Sequence, residues 1–177
     1  MTDQQIVERL RIVPDYPIKG IMFFDVTTLF KDAACFEELV NRICELYRDK
    51  GITKVAGIES RGFITGAAVA ARLGAGFVPI RKPGKLPART VSEKYSKEYG
   101  TDTIEIHADA ITPDDVVLIH DDILATGGTA GAAIRLVKGF GPKEVYCNFL
   151  IDITDCPRTT PLPEDVRIES LLHLAEK

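Results

Sequence analysis

The sequence predicts an α/β protein, a parallel β-sheet flanked by helices. Two observations carry that expectation: short β-branched runs alternate with segments of helical periodicity, and glycines stop the helical segments just ahead of the next strand. Phe36 to Tyr47 sets Phe36, Leu39, Val40, Ile43 and Leu46 or Tyr47 at spacings of three and four, an amphipathic helix that ends before Gly51. Lys54 to Ile58 follows, short and β-branched, and reads as a buried strand. Gly62 to Leu73 returns to helical spacing, and Gly74 and Gly76 stop it before a second strand, Phe77 to Ile80. The βαβ pattern recurs with strand Val116 to His120, a glycine-rich turn, a helix from about Thr129 to Lys138 and strand Val145 to Ile151. Thr103 to His107 alternates and is expected to pair with Tyr95 to Tyr99 as an antiparallel hairpin, with Val166 to Leu172 as a last edge strand. A parallel sheet covered on both faces receives ligands at the carboxyl ends of its strands, so those ends are where chemistry is expected.

Composition bounds the function. A chain of 177 residues is expected to form one domain, since domains commonly run to roughly 100 to 200 residues. The 22 Lys and Arg against 26 Asp and Glu leave a net charge of −4, too mild for an acidic tail or a nucleic-acid-coating surface. No nucleic-acid partner is expected. The longest weakly polar stretch, Gly62 to Ile80, is broken by Arg72 and by glycines, so no membrane span is expected either. Met1 to Gln5 lacks the basic start and apolar core of a signal peptide, which points to a cytoplasmic protein. Cys35, Cys44, Cys147 and Cys156 form no C-x-x-C pair, and His107, His120 and His173 lie far apart, so neither a zinc site nor disulfides are expected.

The sharpest chemical signal is the run from Val116 to Thr129, a buried strand ending in Asp121 and Asp122 and opening through Ala125-Thr126-Gly127-Gly128-Thr129 into a helix. The glycines let backbone N–H groups approach an anion, the threonine hydroxyls donate to it, and the helix start favours negative charge. This is a phosphate cradle. No lysine follows the glycines and their spacing fits neither common nucleotide-binding loop. Two carboxylates beside a phosphate repel it unless they meet hydroxyls, a metal or a developing positive charge, and a ribose 5-phosphate supplies all three. A second anion site fits Glu59-Ser60-Arg61-Gly62, at another strand's carboxyl end and before a helix. Arg81, Lys82 and Lys85 concentrate positive charge nearby, and Lys82 to Gly100 is the longest stretch with no clear period.

The run from Val116 to Thr129 resembles the phosphoribosyl-pyrophosphate motif of the type I phosphoribosyltransferases, in the form used by members that act on adenine. Gly57 to Phe63, Phe77 to Pro87 and Glu98-Tyr99-Gly100 are similar to that family's further motifs in the same order, so the resemblance spans roughly Pro14 to Thr154. It implies transfer of ribose 5-phosphate from 5-phosphoribosyl 1-pyrophosphate to N9 of adenine, giving AMP and pyrophosphate in purine salvage, with Mg²⁺ as cofactor. It also implies a hood over residues 1–33 and a flexible catalytic loop over 82–107 that closes on the site. By the same resemblance, Glu59, Ser60 and Arg61 form the pyrophosphate loop, often with a cis peptide. Arg81 reaches a partner subunit's pyrophosphate, hence a homodimer, with Lys82 and Lys85 beside it. Glu98 handles the proton on the incoming base, and Tyr99 packs over the closed site. The base pocket draws on Met22, Phe23, Phe24, where the family pattern has arginine, and Ile153. Two rivals stand beside this reading: a donor-binding regulatory protein of the same fold, and a transferase acting on another base.

Overall fold

The structure, a computed structural model, describes residues 1–97 and 100–177. Helix α1 (Asp3–Val7), closed by a Thr2–Gln5 capping box, precedes an antiparallel pair, β1 (Arg11–Pro14) and β2 (Met22–Asp25). Helices α2 (Thr27–Phe30) and α3 (Ala33–Tyr47) lead into β3 (Lys54–Ile58), α4 (Arg61–Leu73) and β4 (Gly76–Ile80). A hairpin of β5 (Thr90–Ser96) and β6 (Thr101–His107) follows. The chain closes with β7 (Val116–Leu124), α5 (Gly128–Lys138), β8 (Glu144–Ile153) and β9 (Arg167–Leu174).

The five-stranded sheet runs β4-β3-β7-β8-β9, every neighbouring pair parallel. Its strands are apolar on both faces because both faces are covered. On one face Leu118, Leu150 and Val55 pack against α3, α4 and the N-terminal segment. On the other, Val117, Ile119 and Cys147 pack against α5 and against Ile104 and Ile106 of the hairpin. The chain passes from β3 through α4 to β4, then crosses back to β7 and continues into α5 on the opposite face. Neighbouring strands β3 and β7 therefore send their helices to opposite sides, which opens a crevice between their carboxyl ends.

Two expectations are corrected. Strand β7 runs on to Leu124 instead of stopping at His120: Asp121 pairs with Phe149 and Ile123 with Ile151, because β8 extends alongside and keeps the ladder supplied. The hairpin pairs Thr90 with His107 and Ser96 with Thr101, so its first arm begins at Thr90 and not at Tyr95. Its buried residues, Ile104 and Ile106, belong to the second arm, whereas the first arm is polar and gave little periodicity to read. Much of 82–107 is thus paired strand docked on α5.

Two buried groups make stability acid-sensitive. Burial holds the His120 imidazole down at about 4, so the unfolded chain takes up that proton first as pH falls. Against burial, which raises it, bonds from the Thr112 backbone, Thr53 and Lys54 hold Asp115 at about 2. The His120 contribution is complete above pH ~6.5 and is lost on the way down to the folded value, while Asp115 adds a further loss below pH ~4. Urea titrations should show wild type losing more stability between pH 7 and pH 4.5 than His120→Gln, by on the order of 1 kcal/mol or more. Equal losses would contradict this.

Candidate functional site

The turn from β7 into α5 builds the cradle. Gly127 has φ 87° and occupies the position just before the helix, a conformation open to glycine without strain. The first free N–H groups of α5 then face a cavity of about 90 Å³, lined by Asp121, Ala125, Thr126, Gly127, Gly128 and Thr129 among others. Two segments close on this turn. A Cβ at Gly127 would lie 3.1 Å from the Thr160 carbonyl oxygen, and one at Gly128 would lie 3.2 Å from both the Ser96 carbonyl oxygen and the Tyr95 ring. Arg158 donates to the Ala125 carbonyl and to Asp152, tying the 156–162 segment to the cradle.

The second anion site begins one strand away. The Glu59–Ser60 peptide at the end of β3 is cis, as the family resemblance implies, and α4 starts at Arg61. Arg61 Nε donates to Asp122 Oδ2, and the Arg61 guanidinium stands 5.6 Å from the Phe23 ring centroid. Asp122 is 3% exposed, so its carboxylate depends on that arginine. Asp121 differs. Burial first, and then the neighbouring Asp122 charge, push its carboxyl well above the usual carboxylate range. Its Oδ1 accepts from the Asp122 N–H at 2.8 Å and faces Gly62 of α4, 3.1 Å from where a Cβ would sit, while the residue also borders the cradle cavity.

The basic residues divide. Arg81 Nη2 lies 3.6 Å from Glu59 Oε2 with its guanidinium over the Phe63 ring, and Glu59 also accepts from the Lys82 N–H. Lys82 itself turns away: its Nζ is held by Asp102, with the Tyr95 hydroxyl 3.5 Å away. Lys85 is exposed on the intervening loop. Ser60 is exposed at the start of α4, beside Arg61.

The residues expected around the base differ in burial, as alternation along β2 requires. Phe23 is half-buried, edge-on to Tyr16 at 5.1 Å and beside Arg61. Phe24 is 3% exposed in the core with Val26 and Leu29, and Ile153 is 4% exposed in the same cluster. Both side chains are buried in this cluster. Met22 is half-buried and pairs with Pro14. Glu98 and Tyr99 lie outside the described residues.

The phosphoribosyl transferase domain family matches residues 29–167. The adenine phosphoribosyltransferase of Bacteroides thetaiotaomicron is 58% identical over 174 residues, 98% of this chain and 99% of that one. The chain belongs to the adenine phosphoribosyltransferases. The crystal structure of the Rhodothermus marinus member superposes with a TM-score of 0.91 at 48% identity, covering 97% of each chain. That of the Saccharomyces cerevisiae enzyme, complexed with an imino-altritol bisphosphate and adenine, gives a TM-score of 0.87 at 35% identity over 95% of this chain and 97% of that one.

For a member of this family the site holds groups that the sequence reading passed over. Asp102 as the partner of Lys82, and Arg158 as the anchor of the cradle, are long-range contacts with no local signal. Thr65, His120 and Asn148 form a buried polar chain beneath the carboxylates. Here a signal existed, since His120 and Asn148 are polar interruptions of two apolar strands and lie opposite each other in the ladder. Among the described residues no group of three or more His, Cys, Asp or Glu side chains is placed to hold a metal, and no helix is long and apolar enough to cross a membrane.

The raised Asp121 carboxyl carries a sign. A group whose folded value lies above its unfolded one favours folding only while protonated, so the ionised carboxylate opposes folding at neutral pH. Asp121→Asn should therefore raise the melting temperature while lowering kcat/KM for phosphoribosyl transfer by on the order of 10². A melting temperature that falls in a folded variant would contradict the electrostatic account.

Proposed function

We propose that this chain transfers ribose 5-phosphate from 5-phosphoribosyl 1-pyrophosphate to N9 of adenine, releasing AMP and pyrophosphate. The observation that carries the reading is the Arg61–Asp122 contact, which joins the start of α4 to β7 at the carboxyl ends of adjacent strands β3 and β7. The cradle of residues 125–129 takes the 5-phosphate, and the Glu59–Arg61 loop takes the pyrophosphate, with Asp121 and Asp122 between them facing the ribose. As the bond to pyrophosphate stretches, positive charge grows at C1 of the ribose, and the two carboxylates stabilise it more than they stabilise the ground state. Arg61 meets the charge that accumulates on the leaving group.

Phe23 offers an aromatic face to the purine, a contact worth about 1 to 3 kcal/mol per base, and the Met22 backbone lies beside it. With Phe24 in the core, base selectivity rests on backbone groups of this segment and not on the side chain at position 24. Glu98 serves the proton on the base, with Tyr99 packing over it, and the 82–107 segment excludes water. Mg²⁺ supplies charge neutralisation at the pyrophosphoryl oxygens when bound, and with no protein cage among the described residues, Asp121 and Asp122 are the side chains that would face it.

The whole chain works as one catalytic domain under a hood of residues 1–33. A homodimer follows if Arg81 serves a neighbouring subunit. Arg81 Nε is buried without a partner among the described residues. Four free cysteines suit the reducing cytoplasm. Pyrophosphate release measured with adenine, guanine, hypoxanthine and orotate tests the reading. Adenine should be used and the others should not, because backbone acceptors pair with a 6-amino group and not with a 6-oxo group. Equal use of hypoxanthine or guanine would overturn the base assignment, and donor binding without turnover of any base would overturn catalysis.

A further inference from the structure

Helix α4 and strand β7 are joined by two polar links. Arg61 meets Asp122, and Thr65 Oγ1 lies 2.6 Å from His120 Nε2. Arg61 and Thr65 are one helical turn apart, an advance of about 6 Å, and Asp122 and His120 are two strand residues apart, an advance of about 6.6 Å. The two spacings agree, so both links form together with helix and strand running in opposite directions, and together they set both the shift and the rotation of α4.

The direction of the second link is fixed by its surroundings. Asn148 Nδ2 donates to the Glu169 carbonyl at 3.3 Å, which leaves Asn148 Oδ1 facing His120 Nδ1 at 3.1 Å as an acceptor. His120 Nδ1 therefore carries the hydrogen, and Nε2 accepts from the Thr65 hydroxyl. Helix and strand also press together with little slack. A Cβ at Gly62 would lie 2.8 Å from the His120 carbonyl oxygen, and one at Gly66 would lie 3.5 Å from the His120 ring. Apolar contact across such a face resists separation but is non-directional and permits sliding. A directed hydrogen bond does not.

We propose that His120 is a positioning residue: held by Asn148, it fixes Thr65 and with it the Arg61 end of α4 against the Asp121–Asp122 carboxylates. The inference rests on the assignment of pyrophosphate to the Glu59–Arg61 loop. Its consequence falls mainly on the donor: Arg61 also approaches Phe23 at 5.6 Å, but the proposed base segment is β2 and not α4.

The test compares Thr65→Val, which keeps shape and removes the hydroxyl, with Thr65→Ser, which keeps the hydroxyl, and with His120→Leu and His120→Gln. Removing the link should lower kcat/KM for phosphoribosyl pyrophosphate by about tenfold, the scale expected when a site shifts by a fraction of an ångström, and leave the adenine KM within about twofold. Thr65→Ser and His120→Gln, which retain a donor and an acceptor, should recover most of the loss. The double variant Thr65→Val/His120→Leu should be no worse than either single one, because each removes the same link. Variants that melt lower yet keep wild-type kcat/KM would reduce the network to a stability role and overturn the proposal. If His120→Leu does not fold, the Thr65→Val and Thr65→Ser pair alone decides. Calorimetric titration of pyrophosphate separates the premises: wild type that binds none overturns the loop assignment, whereas wild-type binding unchanged by Thr65→Val overturns the positioning role.

Discussion

The contact between Arg61 and Asp122 is the constraint on which the rest of this site depends. A carboxylate 3% exposed at the end of a central strand needs a polar partner to replace water, and the partner is the first residue of the helix that leaves the neighbouring strand. Satisfying Asp122 therefore places the start of α4 and turns the Glu59–Ser60 segment toward the crevice. It also brings the guanidinium within reach of Phe23 on β2, which links the N-terminal segment to the sheet. Helix α4 can approach this closely only because Gly62 presents no side chain to the His120 carbonyl.

The distribution of charge supports the proposal that the crevice takes a sugar carrying an anion at each end. Asp122 is neutralised within the protein, whereas Asp121, beside it, is held in an environment that disfavours its charge. On the proposed reading, substrate hydroxyls or positive charge growing on the substrate would offset that penalty, which favours the transition state over the empty pocket. The cradle adds backbone N–H groups at the start of α5, and the Arg158 and Tyr95 segments wall it in. On the proposed reading, binding at both ends of a substrate holds its middle against the carboxylates.

Much of this was legible in the sequence, for reasons tied to particular residues. The α/β order followed from helical spacing in Phe36–Tyr47 and Gly62–Leu73 and from the glycines that stop each helix. The cradle followed from small residues between a strand and a helix. Strand limits were less legible, because Asp121 and Asp122 look like a strand end when the extension of β8 that pairs with them is not known. The burial of Phe24 and Ile153 was not legible, because it depends on the alternation of β2 and on the packing around Leu29. Lys82 looked free to meet an anion because its partner, Asp102, lies across a turn of hairpin whose register the polar first arm did not announce.

The central claim is that two separate anion sites, one at Arg61 and one at Thr126, hold the two ends of one substrate. Equilibrium binding of pyrophosphate and of AMP to wild type, Arg61→Gln and Thr126→Val measures this directly. Glutamine keeps a donor for Asp122 while removing the positive charge, and valine removes the cradle hydroxyl without changing its shape. Arg61→Gln should weaken pyrophosphate about tenfold or more and leave AMP within about threefold, and Thr126→Val should do the reverse. If both ligands weaken together in both variants, or if pyrophosphate is indifferent to Arg61, the two-site account is wrong.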